Sequence, residues 1–415
     1  MDEQLKSEIQ RTGMRPITKT ISFNEALTLV QKETKPLNRT ERLPIAEAEG
    51  RVIATDVTAK TDVPPFNRAA MDGYAVIADD TFGADQHKPR ILKCIEKVLT
   101  GNIPTKSLKQ GECIEISTGA PMPQGADAVV MVEGTERGQV SEIRILTPVH
   151  PRQHVGRRAA DIESGEVLLR REEQLTPSRI GALAAVGICE IEVFARPTVS
   201  LLSTGNEIIE PGQPLGPGQI YDINKYTLGA IIKSHGGIPL FHDTVLDTWE
   251  DLNAAIDSNL DEDMIVFSGG SSVGEHDLIL DVIKNKGEVL FHGVAVKPGK
   301  PTIFGKINAK PTLGMPGYPT SCLSNGYMLL APIIRRLARL PRYKPVTIRL
   351  PLAKRVISTT GRHQFYTVRL EKDFAVPVFK ASGDITSMSS ADGYFEIPAQ
   401  TDIVEKGEIV EVKLF

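Results

Sequence analysis

Residues 197–340 alternate between strand-like and helix-like segments, and this alternation limits the possible fold more than any other feature of the chain. Apolar runs such as TVSLLS, IPLFHDTVL and MIVFSGG have the composition of buried strands, and each is followed by a helical pattern. This order predicts a doubly wound, three-layer α/β domain with a mainly parallel sheet. Because such domains bind ligands beyond the carboxyl ends of their strands, the loops that follow the strands are the first candidates for chemistry.

The 415 residues exceed what one compact core holds, and the rest of the chain divides by its pattern. Residues 51–150 are short apolar runs broken by Pro and Gly, which indicates an inserted β-rich domain. Residues 1–50 and 151–196 are expected to form one discontinuous linker-like domain. Residues 341–415 alternate as strands and predict a small C-terminal β barrel. The predicted fold class is therefore multidomain α/β plus β.

Two helices are predicted at the edges of these domains. Residues 18–35 have an apolar face that includes Ala26 and Val30, and Ser22 is placed as an N-cap. A single last helix of the α/β domain is predicted over SCLSNGYMLLAPIIRRLARL, which ends near Pro341.

The overall composition excludes several classes of protein. A net charge of −4 shows no bias toward nucleic acid or membranes, and 5% aromatic residues argue against an array of base-stacking platforms. No run approaches the roughly 20 apolar residues of a membrane span. The opening MDEQLKSEIQRTGMRP has no apolar signal-peptide core, so we expect a cytoplasmic protein. The cysteines form no C-x-x-C pair and are expected to be reduced and mostly buried.

Two strand-following loops combine Gly with polar residues. One is STGNE, ending at Glu207, and the other is SGGSSVGEHD, from Ser268 to Asp277. In the second loop, Gly269, Gly270, Ser271 and Ser272 follow Ser268. A Gly-rich turn into a helix presents backbone N–H groups to a phosphate or oxyanion. Asp277 at the helix start could hold a hydrated Mg²⁺ or simply cap the helix, and the sequence leaves both roles open.

Two further loops are stiffened by proline. In VKPGKP, Lys297 and Lys300 are held by prolines and a glycine, and a rigid cationic corner favours an anion site over a solvated turn. In GMPGYPTS, Pro316 and Pro319 exclude a helix or strand interior and predict a rigid loop leading into the next helix.

Other polar patterns have simpler explanations when taken alone. Asp72 in NRAAMDGYA and Thr118 in STGAP are typical of ordinary turns. The stretch from Gly270 to Gly274 fits the G-x-S-x-G pattern of serine hydrolases, with His292 and His363 downstream. No HGGG-type oxyanion motif accompanies it, and the same Gly and Ser residues suit anion binding.

Taken together and in order, these loops resemble one family. The matching stretches run from about residue 63 to 325: PPFNRAAMDGYAV, STGAPMPQGADAVVMVE, STGNEI, GQIYDIN, SGGSSVGEHD, VAVKPGKPTIFGK and GMPGYPTSC. Fainter pieces, GRHQFYTVRL and SGDITSMSSADGYFEIP, extend the match almost to the end. The combination is similar to the MoeA-type molybdopterin molybdenumtransferases, including the E domain of gephyrin.

The resemblance implies a homodimer of four-domain subunits with a shared active site. It also implies a reaction: molybdopterin-AMP is hydrolysed at its pyrophosphate in a step that depends on molybdate and a divalent cation, here expected to be Mg²⁺. Molybdate oxygens are exchanged for dithiolene sulfurs, AMP leaves, and the molybdenum cofactor remains. Molybdate and molybdopterin-AMP are thus the expected substrates.

The resemblance also assigns roles to individual residues. Asp277, Asp222 and Glu207 would serve metal and nucleotide positioning, with the metal on Asp277 and Asp222. The residues expected around molybdate and phosphate are Lys297, Lys300, Ser272, Arg362 and Ser387, shaped by Pro316 and Pro319. Asp72 and Thr118 would complete the cleft from the partner subunit.

Two other functions are compatible with parts of the sequence. Molybdopterin adenylyltransferases share the α/β domain, although the inserted domain and C-terminal barrel favour metal insertion. A gephyrin-like scaffold is the alternative outside enzymology, but no trimerising domain or long linker resembles one. Transient contacts with the adenylyltransferase and with cofactor-accepting apoenzymes are expected, and nucleic acid and membranes are not expected as partners.

Overall fold

The computed structural model describes residues 17, 19–269 and 277–415, and these fall into two compact units. The first unit contains the described residues of Met1–Glu41 together with Gly50–Val52 and Phe194–Phe415. The second contains Arg42–Glu49 and Ile53–Val193. The finer division into four domains stays a prediction.

A six-stranded sheet forms the centre of the first unit. Its strands lie in the order Ile238–Phe241, Thr198–Ser203, Met264–Ser268, Lys310–Met315, Ile303–Ile307 and Gly287–His292. The first four strands are parallel, and the last two continue the sheet in antiparallel pairing. The mainly parallel sheet predicted from the alternating pattern is confirmed.

Helices cover both faces of this sheet. In the strand Thr198–Ser203, Val199 and Leu201 contribute to one core and Leu202 to the other, because successive side chains point to opposite faces. Side chains from Phe23–Glu33, Asn224–Ser234 and Ala331–Leu337 complete the first core. Side chains from Trp249–Asp257 and Leu278–Lys286 complete the second. The three-layer, doubly wound domain is therefore confirmed.

The first described helix, Phe23–Glu33, confirms the predicted helix in a shorter form. Ser22 caps it in a capping box with Glu25: the Ser22 hydroxyl accepts from the Glu25 amide, and the Glu25 carboxylate accepts from the Ser22 amide. Ala26 and Val30 are fully buried in the core of the α/β sheet. This helix thus packs against residues that lie hundreds of positions later in the sequence.

The predicted last helix of the α/β domain is present and contains a π-helical turn. It comprises α-helical Pro319–Asn325, the π-helical turn Gly326–Leu330, and α-helical Ala331–Leu337. The amide of Ala331 donates to the carbonyl of Gly326, five residues earlier, directly before Pro332, which has no N–H to donate. The predicted helix is therefore confirmed.

The C-terminal part of the first unit is rich in β structure, as predicted. One sheet runs Val296–Lys297, His363–Glu371, Gly393–Ile397, Ile409–Leu414 and Thr347–Pro351, with Phe374–Pro377 paired to His363–Glu371. Val368, Phe395 and Val412 lie in its core. The strand of Lys297 thus extends from the α/β part into this sheet.

A second six-stranded sheet organises the other unit. Its order is Ala128–Met131, Gly73–Val76, Glu112–Ile116, Arg90–Val98, Glu142–Ile145 and Thr135–Arg137. Each face has its own apolar core. A smaller core that includes Leu43, Ile53 and Leu183 belongs to the same unit. The β-rich structure predicted for residues 51–150 is present.

The remaining elements are short. The helices are Pro177–Ala185 and Thr386–Ser389, with 3-10 turns at Ile45–Glu47, Ala78–Thr81 and Val132–Gly134. The strands are Thr40–Pro44, Val57–Thr58, Arg68–Ala69, Val155–Gly156, Val167–Leu169, Glu190–Phe194, Ile208–Ile209, Ile220–Tyr221, Val356–Ile357 and Ile403–Val404. Within the described ranges, no helix combines the length and apolar character needed to cross a membrane.

A buried histidine gives the first unit a specific sensitivity to acid. His235 is 4% exposed and lies edge-on to Tyr343, with ring centroids 5.0 Å apart. Burial, followed by the charge of Arg335, lowers the pKa of His235 to about 4. The unfolded chain takes up this proton near pH 6.5, so the folded state loses stability as pH falls from about 6.5 to about 4.

We expect His235→Leu to reduce that loss. Between pH 7 and pH 4, its free energy of unfolding should fall by about 3 kcal/mol less than that of the wild type, measured by urea titration. His87→Leu, at an exposed histidine, is the matched control and should keep the wild-type pH dependence. An unchanged pH dependence in His235→Leu would contradict the assignment.

Candidate active site

A cavity of about 1150 Å³ lies at the carboxyl edge of the parallel sheet. Ser203 and Ser268, the last residues of adjacent strands, line it, and their hydroxyl oxygens are 3.2 Å apart. Pro316, which follows the end of the next strand, also lines the cavity. All of its lining residues belong to the first unit. The cavity therefore occupies the position expected from the strand–loop–helix pattern.

Lys297, Lys300 and Arg362 make part of the cavity wall positively charged. Lys297 Nζ donates to Thr359 Oγ1 at 2.6 Å, and Lys300 Nζ donates to the carbonyl of Ile17 at 2.9 Å. Within the described part of the chain, the Arg362 guanidinium has neither a hydrogen-bond nor an ion-pair partner. Among the residues that the structure describes, none of these three cations is paired with a carboxylate, so the wall suits an anion.

A glycine fixes the turn between the two lysines. Gly299 has φ +104°, and a Cβ added there would lie 2.4 Å from Nδ2 of Asn325. The Asn325 side chain is fully buried, and it donates to the carbonyl of Gly299 at 2.9 Å and to Thr302 Oγ1 at 2.6 Å. The close approach needs glycine, and the amide holds the turn against the helix that begins at Pro319.

The partly buried carboxylate of Glu396 supports two paired strands. One strand contains Lys297, and the other begins directly after Arg362. Lys297 pairs with Gln364 in parallel register, directly after His363. His363 lies 3.0 Å from Glu396, which also accepts from Lys413 at 2.6 Å. Burial alone would raise the pKa of Glu396, but the hydrogen bonds from His363 and Lys413 outweigh it and lower the pKa to about 2. This carboxylate is therefore charged throughout the physiological range.

Two carboxylates, Glu207 and Asp222, line the same cavity. Asp222 is 4% exposed, and one of its oxygens accepts from the amide of Lys225 at 3.0 Å. Its other oxygen, Oδ2, is buried and has no hydrogen-bond partner among the described residues. An unpaired buried carboxylate oxygen is costly, which points to a ligand or cation that satisfies it.

Asp277 begins the helix Leu278–Lys286. Its side chain accepts from the amide of Leu280 at 3.1 Å, so the capping role that the sequence left open is present. Oδ2 of Asp277 lies 3.4 Å from Nε2 of His292. Asp277 is not a lining residue of the cavity, and the loop before it, with Gly270, Ser271 and Ser272, lies outside the described residues. The predicted G-x-S-x-G alternative lies in the same loop.

A further carboxylate, Asp247, was missed by the sequence analysis. Desolvation by the surrounding protein raises the pKa of Asp247, and the negative charges of Glu207 and Asp277 raise it further. The sequence predicts one strand over residues 238–246, but the strand ends at Phe241. Asp247 directly follows the predicted strand, and this position was the signal that could have identified it as a candidate.

The structure thus brings Asp247 close enough to both Glu207 and Asp277 for their charges to interact. Among residues 17, 19–269 and 277–415, however, no group of three or more His, Cys, Asp or Glu side chains is close enough to hold a metal ion by itself. Metal binding on Asp277 and Asp222 stays a prediction.

The loop with the two prolines is attached at both sides. Pro316 and Pro319 line the cavity, and Asn224 Nδ2 donates to the carbonyl of Gly317 at 2.8 Å. The amide of Thr320 donates to the carbonyl of Ser382 at 3.0 Å, which ties the loop to the cavity-lining segment 379–383. The prolines and these bonds give the rigid loop expected from the sequence.

Ser387 lies behind that segment and does not line the cavity. It is fully buried, and its hydroxyl accepts from the amide of Lys380 at 3.0 Å. Its observed contact therefore holds a lining residue in place, while the expected contact with a substrate stays a prediction.

Asp72 and Thr118 lie together in the second unit. The amide of Thr118 donates to Asp72 Oδ1 at 2.7 Å, because the strands that follow Asp72 and precede Thr118 pair through Gly73 and Ile116. Both side chains are exposed. Their proposed place in a cleft with a partner subunit stays a prediction.

Fold and site together define a class of protein: a multidomain α/β plus β protein with a cavity, partly walled by cationic side chains, at the carboxyl edge of its sheet. Family models match most of the chain: "MoeA N-terminal region (domain I and II)" over residues 21–187, "Probable molybdopterin binding domain" over 200–336, and "MoeA C-terminal region (domain IV)" over 349–415. The chain belongs to the MoeA family, as the motifs predicted.

Named relatives agree with this membership. Molybdopterin molybdenumtransferase 2 of Mycobacterium tuberculosis is 33% identical over 374 residues, covering 88% of this chain and 91% of the relative. The molybdopterin molybdenumtransferase of Haemophilus influenzae is 31% identical over 409 residues, covering 94% and 98%. A crystal structure of the molybdopterin biosynthesis MoeA protein from Pyrococcus horikoshii has 43% sequence identity and a TM-score of 0.84, covering 95% of this chain and 99% of that one.

Proposed function

We propose that this protein is a molybdopterin molybdenumtransferase, which inserts molybdate into adenylylated molybdopterin, releases AMP and leaves the molybdenum cofactor. The observation that carries the proposal is the cavity, where cationic side chains and an unpaired carboxylate oxygen meet in a chain of the MoeA family. Its volume of about 1150 Å³ is ample for a nucleotide-sized ligand.

The cationic wall matches the anions of this reaction. Lys297, Lys300 and Arg362 would bind the pyrophosphate and molybdate oxygens. When the pyrophosphate is hydrolysed, negative charge grows on the departing phosphate oxygens. Cations fixed in advance stabilise that charge without further reorganisation. The rigid Gly299 turn and the strand that begins directly after Arg362 keep these cations in place.

The acidic residues fit Mg²⁺. Mg²⁺ prefers oxygen ligands and is usually held by one or two carboxylates together with substrate phosphates. A cation would satisfy the unpaired Oδ2 of Asp222 and would relieve the repulsion of Asp247 by Glu207 and Asp277. Asp222 and Asp277 are the proposed ligands, with Glu207 and Asp247 as neighbours. Bound Mg²⁺ would neutralise charge on the pyrophosphate oxygens.

The proposed enzyme works in the cytoplasm as a homodimer with a shared site, to which the partner subunit contributes its Asp72 and Thr118. It would contact the adenylyltransferase and cofactor-accepting apoenzymes transiently. Mixing Asp72→Ala and Asp277→Ala subunits tests the sharing: mixed dimers should recover part of the activity that each variant lacks. Absence of any recovery would exclude a shared site.

The function is tested by AMP release from purified molybdopterin-AMP with Mg²⁺, with and without molybdate, while the molybdenum content of the pterin is followed. Molybdate-dependent AMP release with molybdenum retained on the pterin is the expected result. Formation of adenylylated pterin from ATP and free molybdopterin, without such release, would assign the protein to adenylylation instead. Inactivity of correctly folded protein in both assays would contradict the proposed chemistry.

A further inference from the structure

Two cysteines face each other in the sheet of the second unit. The strands Arg90–Val98 and Glu112–Ile116 are parallel, and Cys94 is the register partner of Cys113. Cys113 belongs to the core on one face of this sheet, and Cys94 packs against the same core. Their chain neighbours Ile95 and Ile114 belong to the core on the opposite face. The two thiols therefore project side by side from one face.

The two thiols interact, and their environments differ. Cys113 is fully buried, whereas Cys94 is only partly buried. A hydrogen bond with the Cys113 thiol lowers the pKa of Cys94 to about 6, although burial opposes this shift. The same hydrogen bond, followed by burial, raises the pKa of Cys113. Cys94 is thus the accessible thiolate near neutral pH, and Cys113 is the protonated thiol beside it.

We propose that Cys94 and Cys113 form an oxidation site that reacts with hydrogen peroxide and closes to a disulfide. The Cys94 thiolate attacks one peroxide oxygen, which breaks the O–O bond, gives a sulfenic acid on Cys94 and, after protonation, releases water. The Cys113 sulfur then attacks Sγ of Cys94, the S–O bond breaks, and the hydroxyl leaves as a second water with the Cys113 proton. Two thiols are oxidised by two electrons, and one peroxide is reduced to two waters.

The backbone geometry accommodates this bond. Neighbouring strands lie about 4.8 Å apart, within the range of roughly 4.4 to 6.8 Å between the Cα atoms of disulfide-bonded cysteines. A register irregularity between Cys94 and Glu96 gives the strand of Cys94 local freedom to adjust. The strand of Cys113 ends two residues before Thr118, and another strand of this sheet begins directly after Asp72. The disulfide would therefore form in the sheet whose strands are flanked by Asp72 and Thr118.

The chain contains its own control for this chemistry. Cys189 is exposed, more accessible than Cys94, and Cys322 is fully buried. If exposure alone governed oxidation, Cys189 would react first. Near pH 7, a thiol with a pKa of about 6 is roughly 90% thiolate. The lower nucleophilicity of a less basic thiolate offsets most of the resulting gain in rate. Cys94 is therefore distinguished by the neighbouring Cys113, with which its sulfenic acid can form a disulfide.

Peptide mapping of the full-length wild-type protein after limiting hydrogen peroxide tests the proposal. We expect one disulfide between Cys94 and Cys113, reversed by dithiothreitol. In Cys113→Ser the reaction should stop at the sulfenic acid on Cys94, which dimedone labels. Cys189→Ser should form the disulfide at the wild-type rate.

A folded wild-type protein that forms no Cys94–Cys113 disulfide under these conditions would overturn the proposal. Because the wild-type mapping needs no substitution, a variant that fails to fold does not affect the test. The readout is independent of the proposed molybdenum insertion, so failure of one proposal leaves the other intact.

Discussion

Replacing Arg362 by alanine is expected to reduce kcat/KM for molybdate-dependent AMP release by about 100-fold or more, the usual scale for losing one preorganised donor to a developing negative charge. Arg362 lines the cavity and has no partner for its guanidinium within the described part of the chain. Its removal breaks no internal ion pair there, so the loss should appear in catalysis and little in stability.

The guanidinium is planar and can bond two oxygens at once, whereas an ammonium acts as a point charge. We therefore expect Arg362→Lys to recover only part of the lost activity. Arg369→Ala is the matched control, because Arg369 is on the strand that begins directly after Arg362, is paired with Glu371 and does not line the cavity. Near-wild-type activity in Arg362→Ala, or an equal loss in Arg369→Ala, would contradict the proposed anion contact.

Replacing Gly299 by alanine is expected to lower the free energy of unfolding by about 3 kcal/mol, from the sum of backbone strain at positive φ and overpacking. The added methyl would lie 2.4 Å from Nδ2 of Asn325, a fully buried side chain that cannot move without losing hydrogen bonds to Gly299 and Thr302. The shift would also displace Lys297 and Lys300, so AMP release should fall at least about 10-fold at temperatures where the variant is folded.

Gly407→Ala separates the two contributions to this loss. Gly407 has φ +85°, and a Cβ there would meet nothing within 4 Å. This control should therefore show only the strain of positive φ, about 1 kcal/mol, with unchanged activity. Urea unfolding and AMP release, measured on both variants, test whether the Gly299→Ala methyl conflicts with Asn325. Equal stabilities for the two variants would exclude this steric conflict.

The sequence predicts this fold well wherever a local pattern determines the structure. A short, mostly apolar run predicts the strand Thr198–Ser203, and the cap at Ser22 marks the start of the first described helix. The loops at Ser268, Lys297 and Pro316 were found because each follows a strand and carries Gly or Pro. Their convergence on one cavity follows from the parallel sheet, which brings the carboxyl ends of its strands to one edge.

Features that depend on distant contacts were not predictable in this way. Asp247 shares no motif with Glu207 or Asp277, and only the folded chain brings its carboxyl under their influence. The unpaired oxygen of Asp222 depends on which side chains bury it. Ser387 was expected beside the substrate, and its contact with the backbone of Lys380 could not be derived from its local sequence.

The burial of Ala26 and Val30 against residues such as Ile333 and Leu337 has a consequence for how the chain is made. The ribosome delivers the helix Phe23–Glu33 about 300 residues before the last of these partners. At typical synthesis rates its apolar face stays without its native cover for roughly 15 to 60 s, while the intervening unit Ile53–Val193 can already fold. During that interval this short amphipathic segment is a natural client for a chaperone that binds nascent chains.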